Sequence, residues 1–172
     1  MEHGDIEFNQ YFEPTCHISK GASQITGLTT NGLDLCLYGD VIKDTVPAED
    51  GIKMFLSWLK KNFPESCTLV SHNGKRFDFP ILKRYLGMAS TNYSNLYGLD
   101  SREVFKRRFP DLARNRMEAL VEEFSPTMKN KSHDALGDAQ NLSVIINEAS
   151  RRKNLNLREF LMIEDRDMYK IS

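Results

Sequence analysis

Short apolar segments alternate with longer segments of helical periodicity along this chain. The sharpest apolar segment is Cys67–Ser71, a continuous run typical of a strand buried on both faces of a sheet. It lies between a helical pattern from Pro47 to about Asn62 and a second one at about Phe79–Leu86. Because strands alternate with helices, the sequence predicts an α/β layer fold, in which ligands gather where strand ends meet helix starts.

The other segments are shorter or weaker, but they continue the alternation. Ile6–Phe12 alternates apolar and polar residues and predicts a strand that Pro14 ends. The remaining predictions are a short helix at Ala22–Ile25 capped by Ser19 and closed by Gly27, a loop at Thr29–Gly39 with room for a small strand, a weaker strand at Leu96–Leu99, and helices at Ser101–Arg108, Arg116–Phe124, Ala135–Arg151 and Leu157–Ile163. No repeat or linker interrupts the 172 residues, so we expect a single domain over 1–172.

Composition limits the cellular setting and the kind of partner. A net charge of −1 and a pI near 6.4 argue against coating of nucleic acid by bulk charge, so any such contact must be local. Three scattered cysteines are too few for a disulfide framework, which favours a reducing intracellular compartment, cytoplasm or nucleus. No signal peptide is expected, because the amino terminus has no basic region followed by an apolar one. No membrane span is expected either, because no apolar run approaches about eighteen residues.

Two segments place acidic residues at the start of predicted helices. In Ser132–Ala139, a histidine, His133, precedes a helix and Asp138 lies one turn inside it. Residues five apart on one helix would point about 140° away from each other, so His133 must lie on the preceding loop for both to face one site. In Leu69–Leu82, Asp78 follows the apolar strand at the entry to the next helix.

Residues of these types can carry out metal-assisted hydrolysis. In-line attack by water uses divalent cations about 4 Å apart, and Mg²⁺ or Mn²⁺ prefers carboxylate oxygens, which Asp78 and Asp138 would supply. A neutral histidine beside the attacking water can take its proton at pH 7, the role we predict for His133 as general base. A structural interpretation also stands: a histidine before a helix often only hydrogen-bonds within its loop, and Asp134 is expected to cap its helix.

Three further residues near these acids are candidates for substrate binding. Lys131 lies two residues before His133 and could meet a phosphate oxygen. His72 and Asn73 could orient the loop after the strand or touch the substrate backbone.

Both segments resemble active-site motifs of one enzyme family. Leu69–Leu82 is similar to HNxxFDxxxL, with one extra residue before Phe77, and His133–Ala139 fits HxAxxDA without a gap. These are the second and third motifs of the DnaQ-like 3′–5′ exonucleases of the DEDDh subgroup. The resemblance implies a ribonuclease H-like mixed sheet flanked by helices, a metal-dependent exonuclease activity and the histidine as its base.

The resemblance begins at about Phe8. Phe8–Pro14 and Ile18–Thr29 look like the family's third strand and the element near the terminal nucleotide, and Asp100 matches a common family feature at a strand end before a helix. The family's first motif, DxE, should precede this region by some two or three dozen residues. Asp5–Glu7 is a DxE triplet, but it runs directly into the next strand, so we do not assign it to the first motif. We therefore expect an N-terminally incomplete domain that lacks the first strands and binds metal weakly.

Two functions stay open on this sequence. The first is a 3′–5′ exonuclease-type domain that acts on single-stranded DNA or RNA 3′ ends and is nearly inactive as this chain. The alternative is a catalytically inactive exonuclease-like module that binds nucleic acid or a protein partner.

Overall fold

The computed structural model describes residues 6–89, 93, 95–112, 115–125, 134–161 and 168–172. Within these residues it contains seven helices and eight strands, which confirms the predicted α/β class. The chain divides into two compact units, Met1–Pro64 with Tyr85–Asn92 (the first unit), and Glu65–Arg84 with Tyr93–Ser172 (the second unit). The single domain expected from the sequence stays a prediction.

The described residues of the first unit form two helices, the end of a third helix and two small sheets. Its elements are β1 (Tyr11–Phe12), α1 (Lys20–Thr26), β2 (Leu28–Asn31), β3 (Asp34–Leu37), β4 (Asp40–Val41), β5 (Thr45–Val46) and α2 (Ala48–Asn62). Strands β1 and β5 pair in parallel, and β2, β3 and β4 form an antiparallel meander.

Local signals in the sequence explain both helices of this unit. The Ser19 hydroxyl accepts the N–H of Ala22 at the start of α1, and Gly27 ends the helix with a φ of 71°. These contacts confirm the predicted cap and stop. Helix α2 is confirmed as well, although Pro47 lies just before its first turn instead of inside it.

Two predictions for this unit are only partly right. The segment Thr29–Gly39 is mostly strand, because Gly32 and the Tyr38–Gly39 pair adopt the positive φ that two-residue hairpin turns need. Conversely, only Tyr11 and Phe12 of the predicted strand Ile6–Phe12 are in a strand.

Contacts made by side chains explain the short strand. The Gln10 amide donates to the Asp44 carbonyl, and the Phe8 ring packs on the rings of Phe55 and Trp58 at 5.5 and 5.8 Å. The residues before Tyr11 are therefore held by side-chain contacts and not by pairing with a neighbouring strand.

The second unit contains one mixed three-stranded sheet and most of the helices. Its elements are β6 (Cys67–Ser71), β7 (Leu96–Asp100), α4 (Ser101–Arg108), α5 (Met117–Phe124), α6 (Ala135–Arg152), α7 (Leu157–Leu161) and β8 (Met168–Lys170). Helix α3 (Asp78–Met88) also starts here. Strand β6 is parallel to β7, and β8 pairs with β7 in the antiparallel direction.

A cluster of large apolar side chains forms the core of this unit. Phe105 and Phe160 are fully buried and meet edge to face at 5.8 Å, and residues of α4, α5, α6 and α7 surround them. Strand β6, in contrast, is not buried on both faces as predicted: its residues are half-buried and Thr68 is exposed. It is the outer strand of the described sheet. The prediction of a central strand was wrong because it rested on the apolar run alone.

Candidate active site

The sheet register brings the predicted loop and a second acidic residue to one edge. Because β6 and β7 are parallel, their carboxyl ends lie together, with Ser71 opposite Asp100. A turn (the β6–α3 turn, residues 72–77) leads from β6 to Asp78 at the start of α3, and α4 begins directly after Asp100. This is the kind of strand-to-helix junction at which a site was expected.

Asp78 is exposed, and a neighbouring hydroxyl orients its carboxylate. The Ser71 Oγ–H donates to Asp78 Oδ2 at 2.7 Å, which ties the carboxylate to the end of β6. Because this side chain is exposed and offers oxygen donors, it suits a hard cation.

The ring of His72 is held on both sides. Its Nε2 lies 2.8 Å from the Asn115 carbonyl, so Nε2 carries the proton, and its Nδ1 accepts from the Ser101 hydroxyl at 3.0 Å. Burial lowers the pKa of His72, and the hydrogen bond to the Asn115 carbonyl opposes this only in part. His72 is therefore a neutral residue that joins the β6–α3 turn to α4 and to the segment before α5.

Asn73 makes similar contacts within the protein. Its φ is 65°, a left-handed conformation that asparagine tolerates better than most residues. Its side-chain oxygen accepts from the Arg102 guanidinium at 3.3 Å, and Arg102 also reaches the Asn115 side chain at 3.4 Å. Of the two predicted roles of His72 and Asn73, these contacts support orienting the loop, and substrate contact stays a prediction.

Sequence reasoning noted Asp100 only as a family feature and missed Arg102 and Asn115. Asp100 is 4% exposed, and its carboxylate accepts three backbone N–H groups. Two of these come from the β6–α3 turn and the third is the cap of α4. An acidic residue between a strand and a helix signals only the cap, so the contacts to the turn could not be read from sequence.

The second acidic segment is described only in part. Asp134 caps α6 by accepting the N–H of Gly137 at 3.1 Å, as predicted, and Asp138 lies half-buried in the first turn of that helix. His133 and Lys131 lie outside the described residues. Among the residues that are described, histidine, cysteine and acidic side chains form no group of three or more that could hold a metal ion.

Comparison with known protein families identifies the class to which this α/β chain belongs. The family model for the exonucleases named for RNase T matches residues 1–145. The chain therefore belongs to this exonuclease family, whose fold is ribonuclease H-like. No curated protein matches the chain significantly. In the described part of the chain, no helix is both long and apolar enough to cross a membrane.

Proposed function

We propose that this domain hydrolyses phosphodiester bonds at the 3′ ends of single-stranded nucleic acid with Mg²⁺ or Mn²⁺. The observation that carries the proposal is the position of Asp78, an exposed carboxylate oriented by Ser71 at a strand-to-helix junction, in a chain of the exonuclease family. Membership of that family supports nucleic-acid hydrolysis, and the direction and metal dependence are our inference.

Asp78 and Asp138 are the proposed metal ligands. Both are aspartates in the first turn of a helix, and their hard oxygen donors match the preference of Mg²⁺ and Mn²⁺. Bound cations would hold the attacking and leaving oxygens of the phosphodiester. The Ser71 hydroxyl would keep the Asp78 carboxylate in one orientation while it binds.

His133 is the proposed general base. It directly precedes Asp134, the cap of α6, and so lies close in sequence to Asp138 one turn further on. A neutral imidazole there would accept the proton of the attacking water. Lys131, two residues earlier, is the proposed partner of a phosphate oxygen.

Two exposed residues beside Asp78 favour a single-stranded substrate. Phe77 is 58% exposed and Arg76 is also exposed, so an aromatic ring and a cation lie next to the proposed metal ligand. Unpaired bases stack on exposed aromatic rings, and cations attract the backbone phosphates. The same pair supports a second candidate function, a module that binds nucleic acid, or a protein partner, without cleaving it.

We further propose that hydrolysis by the 172-residue chain is slow. Two carboxylates, those of Asp78 and Asp138, occupy positions of the family's motifs. A cation held by one carboxylate alone binds weakly. Asp5, the first residue of the DxE triplet, lies outside the described residues, and we do not assign it a catalytic role.

Manganese binding tests the proposed ligands apart from activity. Titration of the chain with Mn²⁺, followed by electron paramagnetic resonance, should show weak binding that Asp78→Asn and Asp138→Asn each reduce, because each removes an anionic oxygen. Asp50→Asn is the matched control, an exposed aspartate in the first turn of α2. Equal Mn²⁺ affinity in all four proteins would contradict the assignment.

A further inference from the structure

A buried carboxylate lies behind the β6–α3 turn. Asp100 is 4% exposed, and a charge removed from water in this way is unfavourable unless hydrogen bonds replace the lost hydration. Oδ1 of Asp100 accepts the N–H of Asn73 at 2.8 Å and that of Arg102 at 3.0 Å, and Oδ2 accepts the N–H of Lys75 at 3.1 Å. One side chain therefore satisfies the backbone of two separate segments.

The N–H groups from the turn belong to a backbone that leads directly to Asp78. Gly74 lies between Asn73 and Lys75, and its carbonyl accepts the N–H of Phe77 at 3.3 Å and that of Phe79 at 3.0 Å. Hydrogen bonds thus run from the Asp100 carboxylate through the turn to the residues on both sides of Asp78.

The far end of the turn is anchored by packing. The ring of Phe79 is 1% exposed and stacks on Tyr169 with ring centroids 5.9 Å apart. A Cβ on Gly74 or on Gly98 would come within 2.8 Å of this ring, so the backbone approaches it as closely as glycine permits. The turn is therefore held by Asp100 on one side and by Phe79 on the other.

We propose that Asp100 is a positioning residue for the metal site: its carboxylate fixes the β6–α3 turn and thereby the place of the Asp78 carboxylate. We do not assign Asp100 as a metal ligand, because its carboxylate is buried and already accepts three backbone N–H groups. This proposal rests on the proposed function, in which Asp78 is a metal ligand.

Asp100→Asn removes one of the two contacts with the turn, that with Lys75, and can keep both contacts of Oδ1, with Asn73 and with Arg102. Asparagine is as good a helix cap as aspartate, so the contact with Arg102 at the start of α4 can be kept. The new NH₂ group is a donor and cannot accept the Lys75 N–H. Amide-resolved hydrogen exchange should show Lys75 exchanging about tenfold faster while the amides of α4 are unchanged.

The matched control removes a helix-start contact elsewhere in the second unit. Asn156 accepts the N–H of Glu159 at the start of α7, and Asn156→Ala should leave the exchange of Lys75 unchanged. Unaltered exchange of Lys75 in folded Asp100→Asn would overturn the proposal.

Manganese affinity then tests the link to Asp78. Asp100→Asn should weaken Mn²⁺ binding about tenfold, and should have no further effect once Asp78→Asn is present. If Asp78→Asn weakens binding and Asp100→Asn does not, the positioning role is wrong and the proposed function stands. If Asp78→Asn has no effect by itself, the ligand assignment fails, and the positioning role fails with it.

Discussion

At the scale of single residues, His72 makes contacts that suit one of its two predicted roles, the orientation of the loop after β6. Its ring joins the β6–α3 turn to the Ser101 hydroxyl and to the Asn115 carbonyl. Motif spacing identified the residue, but it could not identify partners that lie 29 and 43 positions away in the chain. Such long-range contacts depend on the register of β6 and β7 and not on local sequence.

The neutral state of His72 predicts how stability depends on pH. Burial lowers its pKa in the folded chain below the ordinary value of 6.5, so the unfolded chain binds more protons below about pH 6.5. The free energy of unfolding should therefore fall as the pH decreases below about 6.5, until the lowered pKa is passed. Urea unfolding between about pH 5 and 8 measures this.

His72→Gln should flatten that pH dependence, because no titrating ring remains at this position. His17→Gln, which replaces an exposed histidine of the first unit, should retain it. If His72→Gln and the unmodified chain lose stability equally on acidification, the partly buried ring of His72 is not the source of the pH dependence.

His133 carries the prediction that separates catalysis from binding. If it is the general base, His133→Ala should lower turnover on the order of a hundredfold and leave nucleic-acid affinity nearly unchanged. Asp138→Asn should also weaken metal binding, which His133→Ala should not. Single-turnover rates and filter binding of one oligonucleotide give both quantities. Wild-type turnover in His133→Ala would mean that His133 is only a loop residue.

At the scale of elements, helices were predicted better than strands. Helices α1, α2 and α4 carry their periodicity and their start and stop signals locally, so sequence was enough to place them. Strands depend on partners: β8 was missed, and β6 was read as fully buried although it is half-buried and lies at the edge of the sheet that the described residues form. The position of Asp78 at a helix start could be predicted from the sequence, because it depends only on where the strand ends and the helix begins. The hydrogen bonds of Asp100 could not be predicted, because they depend on the register of β6 and β7.

The packing between β7 and α3 gives a prediction about stability. A Cβ on Gly98 would lie 2.8 Å from two atoms of the Phe79 ring, which is buried and cannot move aside easily. Gly98→Ala should therefore lower the free energy of unfolding by about 1–3 kcal/mol. Chemical denaturation measures the change.

Gly87→Ala is the control for replacing a glycine by alanine where no side chain is in the way. This residue lies in α3 with nothing within 4 Å of an added Cβ, so alanine should raise stability by about 0.5–1 kcal/mol. Equal effects of the two substitutions would show that the contact with Phe79 does not restrict the backbone.

At the scale of the whole molecule, family membership and the position of the acidic residues point to the same chemistry. The family match covers residues 1–145 and so includes both Asp78 and Asp138. With a net charge of −1, substrate contact should depend on local groups such as Arg76 and Phe77 more than on the overall field. We therefore expect substrate preference to be set near Asp78.

The central claim is metal-dependent hydrolysis from the 3′ end, and a chelation experiment tests it most directly. A single-stranded oligonucleotide labelled at its 5′ end is incubated with excess chain and Mn²⁺, and EDTA is added during the time course. Asp5→Ala is assayed in parallel. We expect slow shortening from the 3′ end that stops on chelation and is unchanged by Asp5→Ala. Hydrolysis that continues at its full rate in EDTA would contradict the account, and loss of shortening in Asp5→Ala would show that Asp5 belongs to the active site.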